Sequence, residues 1–218
     1  MSEPRQTSLA PDWAGGVAPQ TPRPALAVLA REVFSASPEI GDDMRARPDG
    51  ETSPQFLARL TSSATPEEAL TFCAYLLPAA AAVAWGHRCL AARPETGGSR
   101  DAGLIKLIAA WLAEPWNSLQ REDLRREILA IAQASRPRSP VVWISLGLGW
   151  SSGSISAPDL PAVSAPAFAT PRAVNAGILG LLARVEIAER AATLEEFVSF
   201  ARCIAAAIFA GEDLRPRR

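Results

Sequence analysis

The chain has 218 residues, 48% of them hydrophobic and 21% charged, which suits one ordinary domain with tails and lies outside the composition of disordered chains. A formal net charge of −1 lacks the basic footprint that binding a phosphate backbone requires, so no nucleic-acid partner is expected. A chain this long buries about 70% of the surface its unfolded form exposes, so it needs neither disulfide nor metal to hold a core.

Residues 1–23 carry Pro4, Pro11, Pro19 and Pro22 without a periodic apolar pattern and read as a disordered tail, with no apolar core of a secretory signal. A single helical domain is expected over 24–211, followed by a second tail over 212–218. The first helix runs from Pro24 to Ala36 on the stripe Leu26, Leu29, Ala30 and Val33. Gly41 to Thr52 is polar and reads as a loop, and Ser53-Pro54 starts a short helix to Leu60. Thr65-Pro66-Glu67-Glu68 has the pattern of a capping box, and its helix ends at Leu77 because Pro78 disfavours helical geometry before it. Pro78 opens the next helix, to about Ala92. The run 69–84 is apolar but shorter than the roughly 20 residues of a membrane span, and Pro78 divides it, so two buried helices are expected instead.

Asp101 to Ala113 is apolar almost all round and predicts a helix central in the core. Ser118 to Ser135 is amphipathic, with Leu124, Ile128, Ile131 and Ala132 on the buried face and Glu122 and Arg126 able to pair at i,i+4. Val141 to Trp150 has strand-favouring residues but the spacing of a helix at Trp143, Leu146 and Trp150. With no second strand to pair with, it is read as helix. Ser151 to Ala169 is a long Pro/Ser/Ala connection. Thr170-Pro171 starts a helix buried through Val174, Ile178, Leu181, Leu182 and Val185. A second capping box at Thr193-Leu194-Glu195-Glu196 leads the last helix, which buries Phe197, Val198, Ala201, Ile204 and Ile208. The fold class is all-α, an irregular bundle of about 7–9 helices in helix-turn-helix pairs.

Chemistry-bearing patterns are few. Gly149-Trp150-Ser151-Ser152-Gly153 fits G-x-S-x-G, but a nucleophile elbow needs a strand before the serine, a helix after it and a later histidine. Pro158 and Pro161 break a following helix, and the single histidine, His87, lies upstream. His87, Cys89 and Cys73 make a poor zinc set, since residues two apart lie on different helix faces. The three cysteines, with Cys203, form no C-x-x-C pair and read as buried free thiols of a reducing, cytoplasmic compartment. Glu67-Glu68 and Glu195-Glu196 are helix N-termini, where acidic charge offsets the helix dipole. No catalytic residue, cofactor or metal is therefore assigned.

Six tryptophans are present; Trp85, Trp111 and Trp143 are assigned to the core. Trp13 and Trp116 sit in polar or Pro-flanked segments and are candidate interface anchors. In the long connection Ile155, Leu160, Val163 and Phe168 recur as apolar teeth that either seal the core or meet a partner.

The runs Leu77-Pro78 to Trp85, Ala110-Trp111-Leu112-Ala113-Glu114-Pro115, Trp143 to Ser154 and Thr170-Pro171-Arg172-Ala173-Val174-Asn175 together resemble an uncharacterised helical family of proteobacteria, over roughly residues 60–211. The resemblance implies no activity or cofactor; it implies a neighbour of secretion-system components, type VI in particular. The expected function is a non-enzymatic interaction protein, an adaptor, chaperone or accessory subunit whose partner is another protein. The alternatives are a small-molecule or lipid-binding helical domain walled by the 69–92 helices, and a cryptic hydrolase at Ser151.

Overall fold

The computed structural model describes residues 29–94, 101–157 and 159–209. The expected tails, Trp13, Leu26 and Pro158 lie outside the described residues. Those described form α1 (Ala30–Ala36), α2 (Ile40–Asp43), α3 (Ser53–Thr61), α4 (Glu68–Leu76), α5 (Ala79–Ala92), α6 (Ala102–Ala113), α7 (Leu119–Ala134), α8 (Pro140–Trp150), α9 (Ala169–Leu182) and α10 (Ile187–Phe209). The fold is all-α, with one isolated antiparallel bridge, Leu29 to Thr52, among the described residues. The tenth helix, beyond the nine at most expected, is the single turn α2, inside what composition reads as loop. Asp43 holds it: the carboxylate accepts the Tyr75 hydroxyl from α4 and the Arg172 Nε of α9, at 2.8 Å.

The centre of the molecule is α8. Nine of its eleven residues are buried, and it packs on α5, α6, α7 and α9, most extensively on α9. The α8–α9 approach depends on missing side chains. A Cβ at Gly177 would stand 2.7 Å from Ile144 Cγ1 and 2.9 Å from the Pro140 carbonyl oxygen, and one at Gly147 would stand 2.9 Å from Val174 Cγ2. The Thr170 hydroxyl, expected to start α9, instead lies buried within it and donates to the Gly147 carbonyl at 3.0 Å. The pattern Val141–Trp150 is a helix, as its spacing predicts.

Three other expectations are corrected. α6 is peripheral: only Leu104, Ile108 and Trp111 are buried, one stripe at i, i+4, i+7, because α8 already occupies the centre. Thr65 does not cap α4; the Glu68 carboxylate accepts the backbone N–H groups of Arg45 and Ala46 at 2.8 and 3.0 Å, tying the segment after α2 to α4. The reciprocal capping box belongs to Thr52 and Gln55 at α3. Thr193 is six residues inside α10, since nothing between Ile187 and Thr193 stops a helix; its hydroxyl accepts from Arg93 Nη2 at 2.9 Å, and Glu196 pairs with the same guanidinium at 3.0 Å. The motif that resembles a cap receives an arginine from the end of α5.

Trp85 and Trp111 are core, and Trp85 Nε1 donates to the Phe197 carbonyl at 2.8 Å. Trp143 is only half-buried, beneath the Arg138 guanidinium. Cys73 and Cys89 are buried, and burial raises both thiols; Cys203 is exposed, against expectation. No helix among the described residues is long and apolar enough to cross a membrane, since Pro78 separates α4 from α5.

Candidate interaction surface

Two arginines of α7 organise one corner of the bundle. Glu114, before Pro115, is extended and ends α6. The chain turns through Trp116 and enters α7 at Ser118, whose hydroxyl donates to the Glu114 carboxylate at 3.0 Å instead of capping α7. Arg121, in the first turn of α7, reaches back beneath this turn. Its Nη1 donates to the carbonyls of Trp111 and Glu114 at 2.6 and 2.7 Å, satisfying acceptors that the end of α6 leaves open. Its guanidinium carbon lies 3.6 Å from the Trp111 ring centroid and 4.3 Å from that of Trp116. Burial of this cation, only 6% exposed, pulls its pKa down to about 10 against the opposing pull of Glu114.

One turn further, Arg125 is 1% exposed. Its Nε and Nη2 fork the Glu122 carboxylate at 2.7 Å each; Nη1 donates to the Gly149 carbonyl and Nη2 to that of Ser154, the latter at 2.9 Å. Arg125 thus does for α8 what Arg121 does for α6: it places a cation and donors on the carboxyl end of a neighbouring helix. The expected Glu122–Arg126 pair is present at 2.7 Å. Burial raises the Glu122 carboxyl, but the bonds from Arg125 and Arg126 more than offset it, so it lies below its ordinary value. Gly153 turns the chain here with φ +63°, and a Cβ there would stand 2.9 Å from Arg125 Nη2. Between these groups lies a cavity of about 160 Å³ lined by Trp111, Trp116, Arg121, Arg125, Ser151 and Ser152.

The connection after α8 is closed at its neck. Ile155 N–H donates to the Val163 carbonyl at 2.8 Å, and the Ser154 hydroxyl accepts the N–H groups of Ser156 and Val163 at 3.1 Å. Of its four apolar teeth, Ile155 and Phe168, near its two ends, are half-buried against the core, while Leu160 and Val163 are 59% and 51% exposed. The ends of the connection thus pack on the core, while its middle is exposed. Trp116 is 56% exposed, and beside it Leu119, absent from the sequence-based candidates, is 85% exposed. Arg121 and Arg125 were also missed: charge on an amphipathic helix reads as solvated surface. Their spacing of four, on the face of Leu124 and Ile128, was the available signal. Ile131, placed on that face by spacing, is instead exposed.

Ser151 follows a helix and not a strand, and its hydroxyl donates back to the Leu148 carbonyl at 2.7 Å. His87 is half-buried on α5, and burial lowers its pKa. Among the described residues no group of three His, Cys, Asp or Glu side chains could hold a metal ion.

The protein matches no curated protein and no solved structure. The model of a family of unknown function (DUF6931) matches residues 56–205, a span from α3 into α10 that contains both arginines, the cavity and the closed loop. The match takes in more than half of the sequence, which therefore belongs to that family.

Proposed function

We propose that the protein is a non-enzymatic protein-interaction domain whose partner docks on the α6–α7 turn and the loop after α8. One observation carries this reading: four of the six large apolar side chains exposed among the described residues, Trp116, Leu119, Leu160 and Val163, belong to two segments whose beginnings line the same cavity. Exposed aromatic and aliphatic groups beside a buried arginine are the composition of interface centres. The resemblance to proteobacterial neighbours of secretion machinery makes a type VI component the first partner to test, with this protein as adaptor, chaperone or accessory subunit in the cytoplasm. A ligand-binding reading built on α4 and α5 draws less support, because of that pair only Ala80 reaches the cavity.

The test is site-specific photo-cross-linking in the source cells, with a benzoylphenylalanine at position 119, 160 or, as an exposed control on α10, 202. A single protein trapped from 119 and 160 but not from 202 is the expected result. Equal trapping from all three, or none from 119 and 160, would overturn the docking surface.

A further inference from the structure

The Arg121 guanidinium is satisfied on one side only. Nη1 gives its two protons to helix-end carbonyls and the plane packs on Trp111 and Trp116, yet among the described residues neither Nε nor Nη2 has a hydrogen-bond or ion-pair partner. Arg125, by contrast, places both of these nitrogens on Glu122. Neither nitrogen is among the fully buried side-chain atoms left without a partner, so this edge of an otherwise buried guanidinium is reached from solvent and open to an incoming acceptor. Burial lowers the pKa of Arg121. The edge belongs to a group that lines the cavity, and the indoles and carbonyls that fix the plane leave little side-chain freedom to lose when an acceptor arrives.

We propose that the Nε–Nη2 edge of Arg121 is a fork for one carboxylate of the docking partner, either an acidic side chain or a free C-terminus, flanked by an apolar residue that packs on Trp116 or Leu119. The inference rests on the protein-interaction reading. Two parallel N–H donors match the two oxygens of a planar carboxylate. A doubly charged phosphate fits less well: Glu122 takes up one positive charge of the cavity wall and the Glu114 carboxylate stands on the other side of Ser118. The apolar flank follows from the exposure of Trp116 and Leu119 on the α6–α7 turn.

The experiment observes the arginine Nε–H resonances of the full-length ¹⁵N-labelled protein, with that of Arg121 assigned by its loss in Arg121→Lys. The probes are a capped pentapeptide with a central glutamate between leucines, its glutamine counterpart, an uncapped leucine-terminated peptide, and inorganic phosphate. A saturable shift of the Arg121 Nε–H is expected with the glutamate peptide, the free C-terminus or both, whichever source the site favours. The glutamine peptide should bind at least about tenfold more weakly, the loss of one charge-assisted pair. The binding comparison uses the wild-type protein, so it stands even if Arg121→Lys fails to fold, assignment then coming from triple-resonance spectra. No saturable shift with either carboxylate probe, a glutamine peptide that binds as tightly as the carboxylate probe that shifts Arg121, or tighter binding of phosphate than of either carboxylate would each overturn the fork. Persistence of the cross-links from positions 119 and 160 in that case would leave the docking surface standing. A saturable carboxylate shift without those cross-links would retain the fork and remove the protein partner.

Discussion

Replacing Arg125 with methionine separates its packing from its charge and donors. The stem's volume is kept, while the Gly149 carbonyl at the end of α8 loses its donor, Ser154 loses another, and Glu122 loses its fork. A buried carbonyl left without a donor costs about 1–3 kcal/mol, and breaking a buried ion pair from one side costs about 3–5 kcal/mol. Two features reduce the sum. Glu122 is more than one-third exposed and keeps Arg126, so it is not stranded. Methionine also relieves the desolvation that the guanidinium bears at 1% exposure. A net loss of about 3 kcal/mol is therefore expected, or roughly 6–12 °C in Tm for a domain of this size. Urea unfolding followed by circular dichroism measures it, and the amides of Ser154 to Val163 should lose hydrogen-exchange protection together, since the loop neck is anchored through Ser154. A loss below about 1 kcal/mol, within the range of an exposed pair, would refute the claim that Arg125 caps α8 and anchors the loop.

Two glycines should respond to alanine with opposite signs: Gly103, where an added Cβ would meet nothing within 4 Å, gains about 0.5–1 kcal/mol from helix propensity, while Gly177, facing Ile144 and the Pro140 carbonyl, loses about 1–3 kcal/mol to overpacking. Equal shifts in chemical unfolding would contradict the close α8–α9 contact. Leu160→Ser should leave stability within about 0.5 kcal/mol because that side chain is largely exposed, whereas Phe168→Ser, which removes a ring packed on the core and beneath Arg172, should cost about 1–2 kcal/mol; the reverse order would invert the assignment of the teeth. Because the folded Glu122 carboxyl lies below the ordinary value of 4.5, the stability it adds is fully present above that pH and is lost as the pH falls through its folded pKa. Glu122→Gln should therefore be less stable than the wild type at pH 7, and the gap should close in acid; a gap that is constant from neutral pH to about pH 3 would refute the pairing.

The helices were legible where prolines and apolar spacing act locally. Pro78, Pro115 and Pro140 mark boundaries because proline constrains its own φ and its predecessor's geometry whatever surrounds it. Rank within the core was less legible. α6 and α8 are both apolar nearly all round, and sequence gives no reason to prefer one as the centre. Gly147 and Gly177 decide it, by letting α9 close on α8 more tightly than any pair bearing Cβ atoms allows. The caps failed for a related reason: Thr65, Thr193 and Thr170 have the residue type a cap needs, but a hydroxyl or carboxylate bonds to whichever group folding brings nearest. For Glu68 that is the Arg45–Ala46 backbone, for Thr193 it is Arg93, and for Thr170 it is the Gly147 carbonyl.

The candidate surface was half legible by the same logic. Trp116 stood out because an indole in a Pro-flanked polar turn has no local reason to be there, and Leu160 and Val163 because a long loop without periodicity rarely carries aliphatic residues unless they meet something. Arg121 and Arg125 were hidden because their use is tertiary. Each reaches the carboxyl end of a helix other than its own, and those acceptors appear only once α6 and α8 stop where they do. Helix-end carbonyls are an obligatory cost of stopping a helix inside a bundle. Here two arginines four residues apart meet that cost from one face of α7. Arg125 uses both edges of its guanidinium in doing so; Arg121 uses one, and the geometry that makes it a good cap leaves its other edge fixed beside an open cavity and two exposed apolar side chains.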